Sequence, residues 1–292
     1  MPKIRLLLLK LLKRLALFIV ILYFSIGILL VVSQRSLLYF PSKATNHPFK
    51  EIKFQNKDVA LRLIASNENA EDAIIYFGGN AEAVYASHDD FSHYFKTRAL
   101  YLLNYRGYGG SGGTPREKEL YEDALLIYDA LHLKHKNITL IGRSLGSGVA
   151  TYVVANRDIE KLILITPFDS IQAVAQEKFP IYPMQLMLFD KYDSIARARD
   201  IKAQTLFLIA EDDTLVPNEN SLKLYDAFAP QKVQKEIFKG YDHNNIQLAP
   251  LYYKKMQQFL DAHRINASSD AHIHSQRGRW EREKIGRFGL IL

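Results

Sequence analysis

The chain has 292 residues, 48% hydrophobic and 24% charged, with no cysteine; this excludes a disulfide scaffold, a thiolate metal site, a cysteine nucleophile and a disordered chain. The formal net charge of +7 belongs to the ends: residues 1–14 carry five basic residues and no acid, and residues 264–292 carry six basic residues and three acids. The body between them is near neutral and implies no basic face, so no nucleic-acid partner is expected.

Residues 1–14 read as a basic, cytoplasmic N-terminus. Leu15 to Ser33 (LALFIVILYFSIGILLVVS) is uncharged. At helical rise it spans about 28 Å, close to the hydrocarbon thickness of a bilayer. Its apolarity on every face argues against a helix of a soluble core. The run is longer than the apolar region of a signal peptide and no clear A-x-A-type site follows, so a retained transmembrane anchor is expected. The preceding basic residues place the N-terminus in the cytoplasm and the main domain on the extracytoplasmic, periplasmic or lumenal, side.

Residues 34–48 read as a linker and 49–263 as one domain. Strands are expected at 50–54, 59–65, 73–77, 99–104, 138–142, 161–166, 205–210 and 233–238, and helices at 117–133, 145–156, 218–229 and 248–263. Short apolar strands alternating with helices predict an α/β fold with a mostly parallel sheet covered on both faces. The first two strands form a hairpin and so an antiparallel edge. Residues 168–203 form a cap-like insertion that contains the apolar stretch FPIYPMQLMLF. The tail at 264–292 is polar and basic, without a core-facing stripe, and is expected to be mobile.

Gly142-Arg143-Ser144-Leu145-Gly146 fits G-x-S-x-G, and so does Gly109-Gly110-Ser111-Gly112-Gly113. Only Ser144 follows an apolar strand and opens a helix, the order that a nucleophile elbow requires. Ser111 lies in a glycine-rich loop followed by Thr114-Pro115. The plainer reading of Ser144 is a helix N-cap. A serine hydroxyl needs a histidine to take its proton and a carboxylate to orient that histidine. His243 lies in a loop between the last strand and the last helix, above the elbow. Glu211, Asp212 and Asp213 follow the preceding strand, and spacing alone leaves all three open. Acyl transfer also needs backbone N–H groups for the developing oxyanion. Leu145, at the helix N-terminus, and Asn80, in the loop Gly78-Gly79-Asn80-Ala81-Glu82, are the candidates. His132/His135 and His272/His274 have short spacings, but no carboxylate or cysteine set completes a metal site. Gly107-x-Gly109-x-x-Gly112 matches a dinucleotide fingerprint in letters. It opens no helix, and the strand about 30 residues on ends in Gly142-Arg143-Ser144 instead of an acid. No metal or organic cofactor is expected.

Over about residues 35–263 the chain resembles the α/β-hydrolase superfamily, and within it the single-pass membrane-anchored serine hydrolases of the α/β-hydrolase-domain type. The resemblance is carried by NYRGYGGSGGTPRE (104–117), GRSLGSG (142–148), TPFDSI (166–171), the stretch from Asp213 to Pro217 and GYDHNN (240–245). It implies an α/β-hydrolase fold, with Ser144 as nucleophile and Ser111 as loop. It selects Asp213, four residues before the proline of Val-Pro, as the acid, and His243, before Asn244, as the base. It also implies an oxyanion hole from Asn80 and Leu145. The family usually has His-Gly-Asn where this chain has Gly78-Gly79-Asn80. The implied activity is hydrolysis of carboxylic esters or thioesters of a small-molecule or lipid-like acyl substrate. The same fold also serves peptidases and amidases, and a non-catalytic scaffold remains the alternative.

Overall fold

The computed structural model describes residues 2–262, so the tail expected over 264–292 lies outside the described residues. The chain opens with a single long helix, α1 (Pro2–Leu38). Residues 34–38, expected to begin a linker, are its last turn. The helix ends where the Tyr39 N–H donates to Arg35 C=O at 2.8 Å and Pro41 follows, since a proline cannot continue the ladder.

The body is built on eight strands: β1 (Glu51–Asn56), β2 (Val59–Ser66), β3 (Asp72–Phe77), β4 (Arg98–Asn104), β5 (Asn137–Arg143), β6 (Lys161–Ile165), β7 (Gln204–Ala210) and β8 (Val233–Phe238). They form one sheet in the order β1-β2-β4-β3-β5-β6-β7-β8. The hairpin β1–β2 is antiparallel, and β2 also runs antiparallel to β4. All other pairings are parallel. The six residues of ALYLLN and the run KLILI are buried throughout, as strands covered on both faces must be.

Two apolar layers enclose the sheet. On one face pack α3 (Glu117–His132), α4 (Leu145–Asn156) and α8 (Asn218–Ala227), through residues such as Leu120, Ile127, Val149, Val153 and Leu224. The other face is covered by α2 (His88–Tyr94) and by a last helix, α9, over 252–262, through Phe91, Phe95, Tyr252, Met256 and Leu260. The sequence reading did not foresee α2, which is short and polar but for Phe91. Phe91 and the following Phe95 lie one turn apart and seat it on the sheet, helped by His88 stacked on Phe49 and Tyr94 stacked on Tyr253. The helix expected from 248 starts at 252, because Pro250 forces the residue before it out of the helical region.

The insertion at 168–203 holds three short helices, α5 (Ile171–Lys178), α6 (Met184–Met187) and α7 (Ile195–Ala198). It docks on α1: Arg35 Nε pairs with Asp190 at 3.1 Å, and the Tyr39 and Tyr192 hydroxyls meet at 2.9 Å.

The glycine-rich loop after β4 is tied down by a buried ion pair. Arg106 donates twice to Asp123 on α3, and Asn56 Nδ2 donates to the same carboxylate at 2.6 Å. Removing the acid strands a buried guanidinium. Asp123→Ala is expected to destabilise the body by about 3 kcal/mol, to be read as a lowered urea midpoint of the detergent-solubilised protein. An unchanged midpoint would show that the pair is dispensable.

Candidate active site

The strand β5 and the helix α4 meet in a turn too tight for ordinary side chains. A Cβ on Gly146 would lie 2.0 Å from the Phe77 carbonyl oxygen, and one on Gly142 would lie 2.4 Å from the Gly146 oxygen. The close approach of α4 to the end of β3 therefore requires Gly146, and its approach to β5 requires Gly142. Ser144 sits between them at φ 49° and ψ −116°, a strained conformation for a residue with a Cβ. The Ser144 N–H donates to Ile165 C=O at 2.9 Å, and Ser147 Oγ donates to Ser144 C=O at 2.6 Å. The side chain is left half-buried at the carboxyl edge of the sheet. Ser144 is thus no ordinary N-cap, for its side chain makes no capping hydrogen bond.

Two loops bring partners to it. His243, in the turn after β8, places Nε2 2.8 Å from Ser144 Oγ. Its Nδ1 lies 2.7 Å from Asp213 Oδ2, in the loop after β7. The other oxygen of Asp213 accepts from the Leu215 and Val216 N–H groups at 3.0 and 2.8 Å. A carboxylate only accepts, so Nδ1 carries the hydrogen and the lone pair of Nε2 faces the serine hydroxyl. Of the three acids that spacing left open, Glu211 and Asp212 are exposed and only Asp213 is buried. Ser111, in the second G-x-S-x-G, is structural: its Oγ donates to Asn104 C=O and accepts from the Arg62 N–H, both at 2.8 Å. His135 is likewise held between Tyr101 and Ala70 C=O. No cluster of three metal-ligating side chains occurs among the described residues; His272 and His274 lie outside them.

The loop Gly78–Glu82 runs beside the elbow. A Cβ on Gly79 would come 3.7 Å from Ser144 Cβ. The backbone N–H groups of Asn80 and Leu145 have no hydrogen-bond acceptor among the described residues. The Asn80 side chain is held at both its nitrogen and its oxygen. Its Nδ2 donates to Leu38 C=O at 2.6 Å, and its Oδ1 accepts from Tyr108 and the Phe40 N–H at 2.8 and 2.9 Å.

The sequence reading missed Glu82. Its carboxylate accepts from the Gly79 N–H at 2.6 Å, from Tyr76 at 2.7 Å and from Ser87 at 3.1 Å. Tyr105 adds a hydrogen bond to Gly78 C=O at 2.8 Å. Burial raises the Tyr76, Tyr105 and Tyr108 hydroxyls well above the usual phenol range, so all three stay protonated donors. A side chain at 78 would meet Val84 Cγ1 at 2.7 Å. The loop as packed therefore leaves little room for a side chain at 78. The one-dimensional signal was an acid three residues after a glycine, a spacing that suits side-chain to backbone capping. Arg143 joins the parts: it donates to His243 C=O at 3.1 Å and to Gln247 at 3.3 Å, and lies 3.9 Å from Glu82. The wildcard position of a motif gave no hint of that role.

No protein-family model matches the chain. An uncharacterized protein of Mycobacterium tuberculosis is 29% identical over 232 residues, covering 74% of this chain and 82% of that one. The human alpha/beta hydrolase domain-containing protein 17C is 28% identical over 165 residues, covering 55% of this chain and 49% of that one; the match spans about half of that relative's length. Among solved structures, the Pyrococcus furiosus esterase Pf2001 superposes with a TM-score of 0.62 at 20% identity, over 76% of this chain and 95% of that one. A serine hydrolase from Cycloclasticus zankles gives 0.59 at 14%, over 73% and 98%. At such identities the structural likeness speaks for the fold alone.

The elbow makes its own prediction. Gly146→Ala sets a methyl group against a backbone carbonyl that cannot swing away, and is expected to cost about 3 kcal/mol, read as a lowered thermal midpoint. A fully stable Gly146→Ala protein would show that the turn has slack.

Proposed function

We propose that the chain, an α/β hydrolase by fold, is a membrane-anchored serine hydrolase that cleaves carboxylic ester or thioester bonds. One observation carries the reading: a strained serine hydroxyl lies 2.8 Å from an imidazole that is itself 2.7 Å from a buried carboxylate. Ser144 Oγ attacks the acyl carbonyl while His243 Nε2 takes its proton. Asp213 stays ionised, orients the ring and stabilises the imidazolium. The N–H groups of Asn80 and Leu145 receive the oxyanion, the latter at the positive end of α4. His243 then gives its proton to the departing alkoxide or thiolate, the bond to the leaving group breaks and an acyl-serine remains. Water, deprotonated by the same ring, attacks that ester and releases the carboxylic acid and the free serine.

Two features favour a substrate with an apolar acyl part. The cap at 168–203 exposes large apolar side chains, and α1 contains a stretch, Ile4–Leu38, long and apolar enough to cross a bilayer. From the five basic residues before Leu15 we place the N-terminus on the cytoplasmic side and the body across the membrane.

A fluorophosphonate probe is expected to label the intact protein and to leave Ser144→Ala unlabelled. An unlabelled, folded wild type would favour a scaffold without catalysis. On p-nitrophenyl esters, Asp213→Asn is expected to lower kcat by about 10⁴-fold and Asp212→Asn to leave it close to wild type. Equal losses would remove Asp213 from the mechanism.

A further inference from the structure

The cap does not sit clear of the anchor. Tyr182, between α5 and α6, stacks on Tyr23 of α1 with ring centroids 4.8 Å apart. Tyr23 Oη donates to Ile181 C=O at 3.0 Å, and Tyr182 Oη donates to Tyr23 C=O at 3.1 Å. Gly27 makes the approach possible, since a Cβ there would lie 3.3 Å from the Tyr182 ring. Higher on α1, Gln34 Nε2 donates to Met187 C=O at 3.2 Å and Gln34 Oε1 accepts from the Phe189 N–H at 2.8 Å. Tyr23 lies ten residues before Ser33, the end of the uncharged run, which is about 15 Å along a helix axis. If that run lies in the bilayer, the cap tip lies beside it, about half-way through a hydrocarbon core of ~30 Å.

The cap has the chemistry for that position. Ile181, Leu186 and Phe189 are 69%, 82% and 61% exposed on the body. Backbone polar groups in hydrocarbon must find partners within the protein. The polar side chains of α1 supply them: Tyr23 for Ile181 and Gln34 for Met187 and Phe189. Arg35, at the end of the helix, lies 5.8 Å from the Phe189 ring centre and pairs with Asp190, where a cation meets the interface. Between α1 and the cap runs a largely apolar cavity of about 200 Å³, lined by Val31 and Leu38 from the helix and Val174 and Met184 from the cap, with Gln34 and Lys178 as its polar members. Leu38, on the wall of this cavity, has a carbonyl that accepts from Asn80, in the loop beside Ser144.

We infer that the cap is set into the same leaflet as the C-terminal half of α1, and that the cavity between them leads a lipid acyl chain sideways from the bilayer to Ser144. The inference rests on the membrane-anchored hydrolase reading, and deepens it by making the substrate a membrane-resident acyl ester or thioester instead of one drawn from water.

The absence of native cysteine permits single-site labelling. Leu17→Cys in α1, Leu186→Cys in the cap and Leu133→Cys at the far end of the body, 86% exposed, each carry a bimane. The full chain is reconstituted in phosphatidylcholine vesicles bearing nitroxides on the acyl chains. Quenching is expected at 17 and 186 and not at 133. Quenching at 17 without quenching at 186 overturns the embedded cap and leaves the anchor standing; no quenching at 17 overturns both. Ala175→Phe narrows the cavity, and is expected to lower the ratio of kcat/KM for p-nitrophenyl dodecanoate over butanoate by about tenfold. An unchanged ratio overturns the acyl route even if 186 is quenched. A wild type that hydrolyses neither ester overturns the route together with the hydrolase reading, while the quenching still reports the depth of the cap.

Discussion

The approach of α4 to the end of β3 governs the architecture of the site. Because the backbone at Gly146 rests against the Phe77 carbonyl, the turn between β5 and α4 has no freedom to relax, and Ser144 is driven to a positive φ. The same contact sets the start of the helix beside the loop that follows β3. Ser144 and the two candidate oxyanion donors are thus placed by one backbone contact. Such strain persists only where the surroundings over-determine it. Here they are the Ile165 carbonyl, which holds the serine N–H, and the buried strands β3 and β6 on either side of β5.

Around that fixed point the other groups arrive on loops, and the loops are held by charge and hydrogen bonding more than by packing. Asp213 is clamped by two N–H groups of its own turn, Glu82 gathers three donors, and Arg143 spans the histidine loop and the glycine loop. A loop that carries polar chemistry can be rigid when each of its polar groups has a partner. The glycine-rich loop after β4 belongs to the same scheme: Tyr105 and Tyr108, buried and kept protonated, reach across to Gly78 and Asn80.

Much of this was legible in the sequence because it is local. Alternating apolar strands and helices announced the parallel sheet, and strand–turn–helix context separated Ser144 from Ser111. The two antiparallel strands at the edge were visible as a hairpin with the turn at Lys57-Asp58. Other features depend on groups distant in the chain. Nothing near Glu82 says that Tyr76 and Ser87 will converge on it, and nothing in α2 beyond a phenylalanine pair marks it as a helix. The bounds of α1 were misread at 34 because Gln34 and Arg35 look like the end of an apolar run. In the fold they are its contacts with the cap. Spacing left three acids open after β7, and the resemblance to known hydrolases chose among them. The burial of Asp213 beside His243 is the physical counterpart of that choice.

The Asn80 amide links two regions that a domain diagram would separate. It holds the Leu38 carbonyl and the Phe40 N–H, at the very exit of α1. The body cut free at its first strand would keep every residue of the Ser-His-Asp array, yet it would leave that amide two hydrogen bonds short in the strand–loop junction beside the serine. The leading helix is therefore a structural part of the junction beside Ser144, and on the proposed membrane-anchored reading its tilt or stretch in a bilayer of different thickness bears directly on the geometry of that junction.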